Sequence, residues 1–211
     1  MAKTFLITGV SSGFGRALAE AALSDGHIVA GTVRNDVDQQ KFEAIGRGAH
    51  ALILNVTDTE AIAPAVADIE NRIGAIDVLV NNAGYGHEGI LEESSIDDLR
   101  RQFEVNVFGA VAMIQAVLPA MRKRRAGHIL NITSMGGIIT LPGLSYYHGS
   151  KFALEGISES LGKEVKDLGI KVTAVEPGGF RTDWAGRSMV RAGRSGITTR
   201  SSNRSANAGW N

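Results

Sequence analysis

The chain has no cysteine, only four prolines and no excess of charge of either sign. Without cysteine it forms neither disulfides nor thiolate metal sites, which agrees with a reducing, cytoplasmic setting. Its 22 basic and 22 acidic residues cancel, so net charge gives no argument for binding nucleic acid or a membrane surface. No apolar run reaches the roughly 18 residues of a membrane-spanning helix, and no signal sequence precedes the first predicted strand.

The composition is that of a globular protein, with 44% apolar residues and 26 glycines in 211 residues. Short apolar segments alternate with segments of helical periodicity. This alternation predicts an α/β fold, a Rossmann-like doubly wound parallel sheet in a three-layer α/β/α arrangement. One domain is expected over residues 1–192. The predicted strands are 4–8, 27–33, 49–56, 76–80, 128–133 and 170–176, and the predicted helices are 16–23, 36–45, 57–73, 95–121 and 146–168.

A glycine-rich turn follows the first predicted strand. Gly9, Gly13 and Gly15 stand between that strand and an alanine-rich helix, in the spacing Gly-x3-Gly-x-Gly. In such a strand–turn–helix unit, glycines let the backbone approach a pyrophosphate at the helix N-terminus. The alternative is a tight turn that binds nothing.

The end of the second predicted strand bears on the choice of cofactor. No Asp or Glu ends it to bind ribose hydroxyls; Val33 is followed by Arg34, which suits the 2′-phosphate of NADP. The alternative is a solvated Arg34 paired with Asp36. Asp36 and Asp38 are predicted to be charges in the first turn of the next helix.

A second group of polar residues lies in the later half of the chain. Tyr147 and Lys151 are four residues apart on a predicted helix and therefore share a face. A nearby ammonium favours the phenolate, so Lys151 is predicted to lower the pKa of Tyr147 and make it a proton donor or acceptor. The alternative is a core tyrosine and a solvated lysine. Asn106, in a helix interior, is either a satisfied core amide or part of a site.

Taken together, these residues resemble the short-chain dehydrogenase/reductase family over residues 3 to about 190. The resemblance rests on motifs that occur in the family's order and spacing. They are Thr8-Gly9-x3-Gly13-x-Gly15, Asn81-Asn82-Ala83-Gly84, the tetrad Asn106, Ser134, Tyr147 and Lys151, and Pro177-Gly178 with Thr182. Asn55 departs from the family, which usually has an Asp that reaches the adenine amino group.

The resemblance implies roles for these residues. Tyr147 is the general acid or base, Lys151 lowers its pKa and binds the nicotinamide ribose, and Ser134 holds the substrate oxygen. Asn106 opens its helix and holds a water in a proton relay, and Thr182 binds the carboxamide. The implied cofactor-binding residues are Gly9, Ser11, Ser12, Gly13, Phe14, Gly15, Arg34, Asn55, Val56, Asn82, Ala83, Gly84, Tyr147, Lys151, Pro177, Gly178 and Thr182.

The predicted function is an NADP(H)-dependent oxidoreductase that interconverts a secondary alcohol and a carbonyl by hydride transfer. Its expected partner is a small apolar substrate, without nucleic acid or membrane, and a homo-oligomer is possible for the family. The five histidines have no metal-ligand spacing, and His87 and His148 are expected only to line the pocket mouth. The basic run 122–125 is expected to cap a helix C-terminus, with a nucleic-acid patch as the weaker alternative.

The pattern ends before the chain does. Family members continue with a helical flap over the substrate and a last strand, but here only 181–192 resembles a flap. Residues 193–211 are rich in Ser, Arg, Asn and Gly and are predicted to be disordered or aberrant. One hypothesis is a frameshift after residue 195, since another frame permits an amphipathic flap. The alternative function is therefore a truncated, inactive NADP-binding scaffold, its sheet lacking the last strand.

Overall fold

The computed structural model of the chain describes residues 2–179 and 189–192. The predictions for Thr182, for most of the flap and for the tail 193–211 lie outside these residues. Within them, six strands form one parallel sheet in the order β3-β2-β1-β4-β6-β7. The strands are β1 (Thr4–Ile7), β2 (Ile28–Val33), β3 (Ala49–Ile53), β4 (Val78–Asn81), β6 (Gly127–Ile132) and β7 (Ile170–Val175). The predicted doubly wound parallel sheet is therefore confirmed.

Helices cover this sheet on both faces. They are α1 (Gly13–Ser24), α2 (Asp36–Glu43), α3 (Thr59–Arg72), α4 (Ile96–Phe103), α5 (Gly109–Arg124) and α6 (Ser145–Val165). Neighbouring residues of one strand enter different core clusters, because successive side chains point to opposite faces. Leu6 packs in the cluster that contains residues of α3 and α5, whereas Ile7 packs in the cluster that contains residues of α1 and α2.

The order of the strands places the site. The chain leaves β1 for β2 and β3 on one side, and returns to β4, β6 and β7 on the other. The carboxyl ends of β1 and β4 therefore lie at the point where the strand order reverses, which is where open parallel sheets bind ligands. Register confirms the adjacency, since Ile7 of β1 is paired with Val80 of β4.

Some predicted boundaries are wrong. The third strand was expected to reach residue 56, but β3 ends at Ile53. The backbone turns there because the Asn55 side-chain oxygen accepts from the Thr57 N–H at 3.2 Å, and the Asn55 carbonyl accepts from the Asp58 N–H at 2.9 Å. The local side-chain bond competes with continued strand pairing.

The long helix predicted for residues 95–121 is divided. A π-helical turn, Glu104–Phe108, separates α4 from α5. Residues 96–124 as one run are long and apolar enough to cross a membrane by length and composition. In this fold α5 is a core helix, since Met113, Val117 and Met121 are fully buried against the sheet.

Two further short strands were not predicted. β5 (Gly86–Glu88) and β8 (Met189–Arg191) pair in parallel, and Arg191 also forms an ion pair with Glu88 at 3.0 Å. Residues 189–191 had been expected to belong to a helical flap, and that prediction is wrong for them. The pairing of β5 with β8 connects the segment after β4 to residues 189–191.

Candidate active site

The glycine turn between β1 and α1 is fastened to the turn after β4. The Thr8 hydroxyl oxygen accepts from the N–H groups of Asn82 and Ala83, each at 2.9 Å. The Asn82 amide donates to the carbonyl oxygens of Thr8 at 2.9 Å and Gly9 at 3.0 Å. The Asn82 side chain, predicted to bind the cofactor, thus holds the loop that faces the cavity.

Two glycines of the motif serve this close packing. Gly9 has a φ of +73°, in the left-handed region that favours glycine. Its N–H donates to the Thr32 hydroxyl of β2 at 3.0 Å. A Cβ on Gly15 would collide with the Gly9 carbonyl oxygen and the Asn82 side-chain nitrogen. Gly15 is therefore needed for packing behind the loop.

Three residues of the predicted catalytic tetrad come from the end of β6 and from α6. Ser134 follows β6, and Tyr147 and Lys151 lie on the first turns of α6. Ser134 and Tyr147 line the same cavity, and against the larger raising effect of burial, interaction with the Ser134 side chain lowers the pKa of Tyr147. The Lys151 ammonium lies 5.8 Å from the centre of the Tyr147 ring and donates to the Ile132 carbonyl at 2.8 Å. The hydroxyl, the phenol and the ammonium therefore belong to one cluster.

The predicted effect of Lys151 on Tyr147 does not dominate in this structure. Burial raises the pKa of Tyr147 because it disfavours the phenolate, and the hydrogen bond with Ser134 lowers it by a smaller amount. Burial also lowers the pKa of Lys151 to about 8, against a smaller raising effect of the Glu155 carboxylate. The expectation of a lowered tyrosine pKa is thus wrong here, because desolvation is the largest contribution.

Asn106 lies behind the site, within the π-helical turn. Its side-chain oxygen accepts from the Tyr85 N–H at 3.1 Å, and its nitrogen donates to the Tyr85 carbonyl at 3.0 Å and the Ser150 hydroxyl at 3.1 Å. The helix does open at Asn106, as expected. These three bonds join the π-helical turn to the loop after β4 and to α6, and the predicted water in a proton relay stays a prediction.

One cavity of about 700 Å³ brings most of the predicted residues together. Predicted residues that line it come from both halves of the sheet. They are Gly9, Ser11, Ser12, Gly13, Phe14, Arg34, Asn55, Val56, Asn82, Ala83, Gly84, Ser134, Tyr147, Lys151, Pro177 and Gly178. Gly15 and Asn106 do not line it, and Thr182 lies outside the described residues.

The end of β2 carries the charged part of the cavity. Asn35 caps α2, accepting from the Asp38 N–H at 2.9 Å and donating to the Asp38 carboxylate at 3.0 Å. Asp36 and Asp38 lie in the first turn of α2, as predicted. Arg34 and Asp38 line the cavity, and Arg34 is exposed. The arginine is thus positioned to meet an anion, while Asp38 is bonded to Asn35.

Sequence reasoning missed the part played by His148. The ring is buried and accepts from the Leu141 N–H at 2.8 Å, while its other nitrogen is 2.7 Å from the Gly136 carbonyl. These two bonds hold the loop after Ser134 against α6. A histidine beside the motif tyrosine was visible in the sequence, but its bond to Leu141, seven residues away, depends on the loop path.

Comparison with known proteins identifies the family of this chain. A parallel sheet with a glycine turn at its switch point is typical of dinucleotide-binding proteins, and the Ser-Tyr-Lys cluster in the same cavity agrees with the oxidoreductase class that the resemblance implies. Residues 3–191 match the family model described as short chain dehydrogenase. The chain belongs to this family, whose members are oxidoreductases that act on CH–OH groups.

Individual relatives also match most of this chain. The chain is 45% identical over 177 residues to a 3-ketodihydrosphingosine reductase of Bacteroides thetaiotaomicron, covering 84% of this chain and 64% of that protein. A crystal structure of a short-chain dehydrogenase from Streptomyces avermitilis is 42% identical, with a TM-score of 0.91, covering 98% of this chain and 76% of that one.

Two similar solved structures hold cofactors. ElxO with NADP bound is 31% identical, with a TM-score of 0.83, covering 87% of this chain and 76% of that one. An NAD+-bound xylitol dehydrogenase is also 31% identical, with a TM-score of 0.80, covering 83% of this chain and 70% of that one. The family therefore binds NAD(P), and the relatives differ in which form they hold.

Proposed function

We propose that the protein interconverts a secondary alcohol and a ketone or aldehyde, using NADP(H). The observation that carries this proposal is that Ser134, Tyr147 and Lys151 line the same cavity as the glycine turn. The cofactor supplies the hydride. Reduction of the carbonyl then requires one proton at the substrate oxygen, and the Tyr147 phenol is the proton donor that we assign to this step, because it lines the same cavity as Ser134.

Each residue of the cluster has a distinct part. Ser134 donates a hydrogen bond to the substrate oxygen as negative charge develops on it. Lys151, with a pKa of about 8, is mostly protonated at neutral pH, and its charge favours the phenolate left after proton transfer. Asn106 acts through Tyr85 and Ser150 and is a positioning residue.

The preference for NADP(H) rests on Arg34. A guanidinium binds phosphate through charge-assisted hydrogen bonds, and Arg34 is exposed at the edge of the cavity next to β2. Asp38 also lines this cavity, four residues after Arg34, and its carboxylate accepts a hydrogen bond from the Asn35 side chain. An NADP-bound relative supports the proposal. Because another relative is bound to NAD+, the cofactor preference of this chain must be measured.

Titration of the purified protein with NADPH and with NADH tests the cofactor, followed by turnover against a panel of ketones and aldehydes. We expect NADPH to bind at least tenfold more tightly and at least one carbonyl to be reduced. Equal affinities would refute the role of Arg34. NADPH binding without turnover of any carbonyl or alcohol would favour the alternative, an inactive scaffold.

The chain spans only 64% of the length of the ketodihydrosphingosine reductase that it matches. Whole-protein activity is therefore part of the proposal. The cytoplasmic location, the possible homo-oligomer and the frameshift also stay predictions; sequencing the gene tests the last of these.

A further inference from the structure

The mouth of the cavity is lined by aliphatic side chains beyond Ser134 and Tyr147. We call Ile139, Leu141, Leu144 and Val190 the apolar rim; all four line the cavity. Ile139, Leu141 and Val190 are 46%, 48% and 48% exposed. A group of half-exposed aliphatic side chains that continues into a catalytic cavity indicates a surface that a ligand covers.

The apolar rim is fixed relative to the catalytic pair. His148, directly after Tyr147 on α6, accepts from the Leu141 N–H at 2.8 Å. The Ile139 N–H donates to the Met135 carbonyl at 3.0 Å, in the turn that follows Ser134. Because these bonds join Ile139 and Leu141 to the same two elements that carry the hydroxyl and the phenol, this part of the rim is preformed.

The apolar rim presents no charge. Among the described residues that line the cavity, only Arg34, Asp38 and Lys151 are charged. Arg34 and Asp38 lie beyond β2, on the other side of the glycine turn, and the Lys151 ammonium donates to the Ile132 carbonyl. One nitrogen of His148 accepts from the Leu141 N–H and the other faces a carbonyl, which is the pattern of a neutral imidazole.

From these observations we infer that the substrate carries an uncharged alkyl chain beside its carbonyl, and that this chain lies across the apolar rim. The inference rests on the proposed function for the reacting end of the substrate. It specifies the other end, since a chain of several methylenes would cover Ile139, Leu141 and Val190 and leave no charge unpaired. A short or charged carbonyl compound would leave the rim in water.

A series of 2-alkanones from butanone to decanone, reduced with NADPH, tests the inference. A fully buried methylene contributes about 0.8 kcal/mol, so kcat/KM should rise by about twofold to fourfold for each methylene until the chain passes the rim. The same rise should be absent in Ile139→Asn. The matched control is Ile138→Asn, because Ile138 is the neighbouring residue, is 58% exposed and does not line the cavity.

A binding measurement separates this inference from the proposed reaction. N-alkylformamides resemble the carbonyl but are not reduced, and calorimetry gives their Kd on protein saturated with NADPH. Affinity that rises with chain length in wild type and Ile138→Asn, but not in Ile139→Asn, supports the rim even if no ketone is turned over. Turnover or binding that is independent of chain length, or equally graded in both variants, overturns the inference.

Discussion

The two halves of the cavity are built in different ways. On the cofactor half, the side chains of Thr8, Thr32 and Asn82 hold the glycine turn through hydrogen bonds to backbone groups, and the glycines of the turn line the cavity. On the substrate half, the surface consists of the side chains of Ser134 and Tyr147 and of the apolar rim. On the proposed function, we therefore expect affinity for the cofactor to depend mainly on the shape of the loop, and reaction and substrate choice to depend on single side chains.

The change with the largest expected effect on this comparison is Tyr147→Phe. The variant removes the proton donor but keeps the ring, so turnover should fall by about 100-fold to 10,000-fold. The Kd for NADPH should stay within about threefold, because the glycine turn is untouched. Steady-state kinetics and fluorescence titration of NADPH measure the two quantities. Substantial residual turnover would refute the acid–base role of Tyr147.

The converse change is Gly15→Ala on the cofactor half. The new methyl group must displace the Gly9 carbonyl or the Asn82 amide, and such overpacking costs about 1–3 kcal/mol. Affinity for NADPH should fall by about 10-fold to 100-fold in a titration. Gly156→Ala on α6 is the control, because a Cβ there meets nothing within 4 Å. Unchanged NADPH affinity in Gly15→Ala would contradict the dependence on loop shape.

Lys151 belongs to the substrate half, and its burial predicts a pH dependence of stability. Its pKa falls from 10.5 to about 8 on folding. Between these values the unfolded chain keeps a proton that the folded chain has lost, so this residue's contribution to stability rises with pH. Relative to Lys151→Met, the wild type should gain about 2 kcal/mol in unfolding free energy between pH 7 and 9.5.

Urea unfolding of both proteins at the two pH values measures this gain. Tyr147, whose pKa burial raises, is present in both proteins, so the difference between their unfolding free energies reports on Lys151. A gap between wild type and variant that stays constant from pH 7 to 9.5 would show that Lys151 is not desolvated.

The smallest expected effect concerns Arg34, the side chain on which cofactor preference is proposed to depend. Arg34→Ala should weaken NADPH binding by about tenfold, since the exposed guanidinium contributes about 1.4 kcal/mol to binding the phosphate. NADH binding should change by less than about twofold. Competition titrations with both cofactors give the ratio. An equal loss for NADPH and NADH would assign Arg34 to the loop's shape instead.

Much of the cofactor half could be predicted because its determinants are close in sequence. Gly9, Gly13 and Gly15 lie within one short segment, and alternating apolar segments predicted the six strands of the sheet. The predicted end of β3 was wrong because the Asn55 side chain accepts from the Thr57 N–H. This local bond competes with strand pairing, and apolar periodicity does not reveal it. Asn82 was identified, but its two bonds to the glycine turn required the β1–β4 pairing.

The substrate half was harder to predict. Tyr147 and Lys151 were identified from their spacing, but the pKa of the phenol depends on how deeply the packed chain buries it. The strands β5 and β8 are three residues each and pair across about a hundred residues of sequence. Such short elements have little local preference, so their existence depends on tertiary contacts.

The sequence by itself determined the parallel α/β architecture and the glycine turn after the first strand. These depend on local conformational preference and on the burial of apolar faces, both of which are written along the chain. Only the tertiary structure decided that Ser134 and Tyr147 line one cavity, that Asn106 supports the site from behind, and that an uncharged rim borders it. Hydrogen-bond partners, desolvation and cavity shape arise when distant segments pack together, and no single segment specifies them.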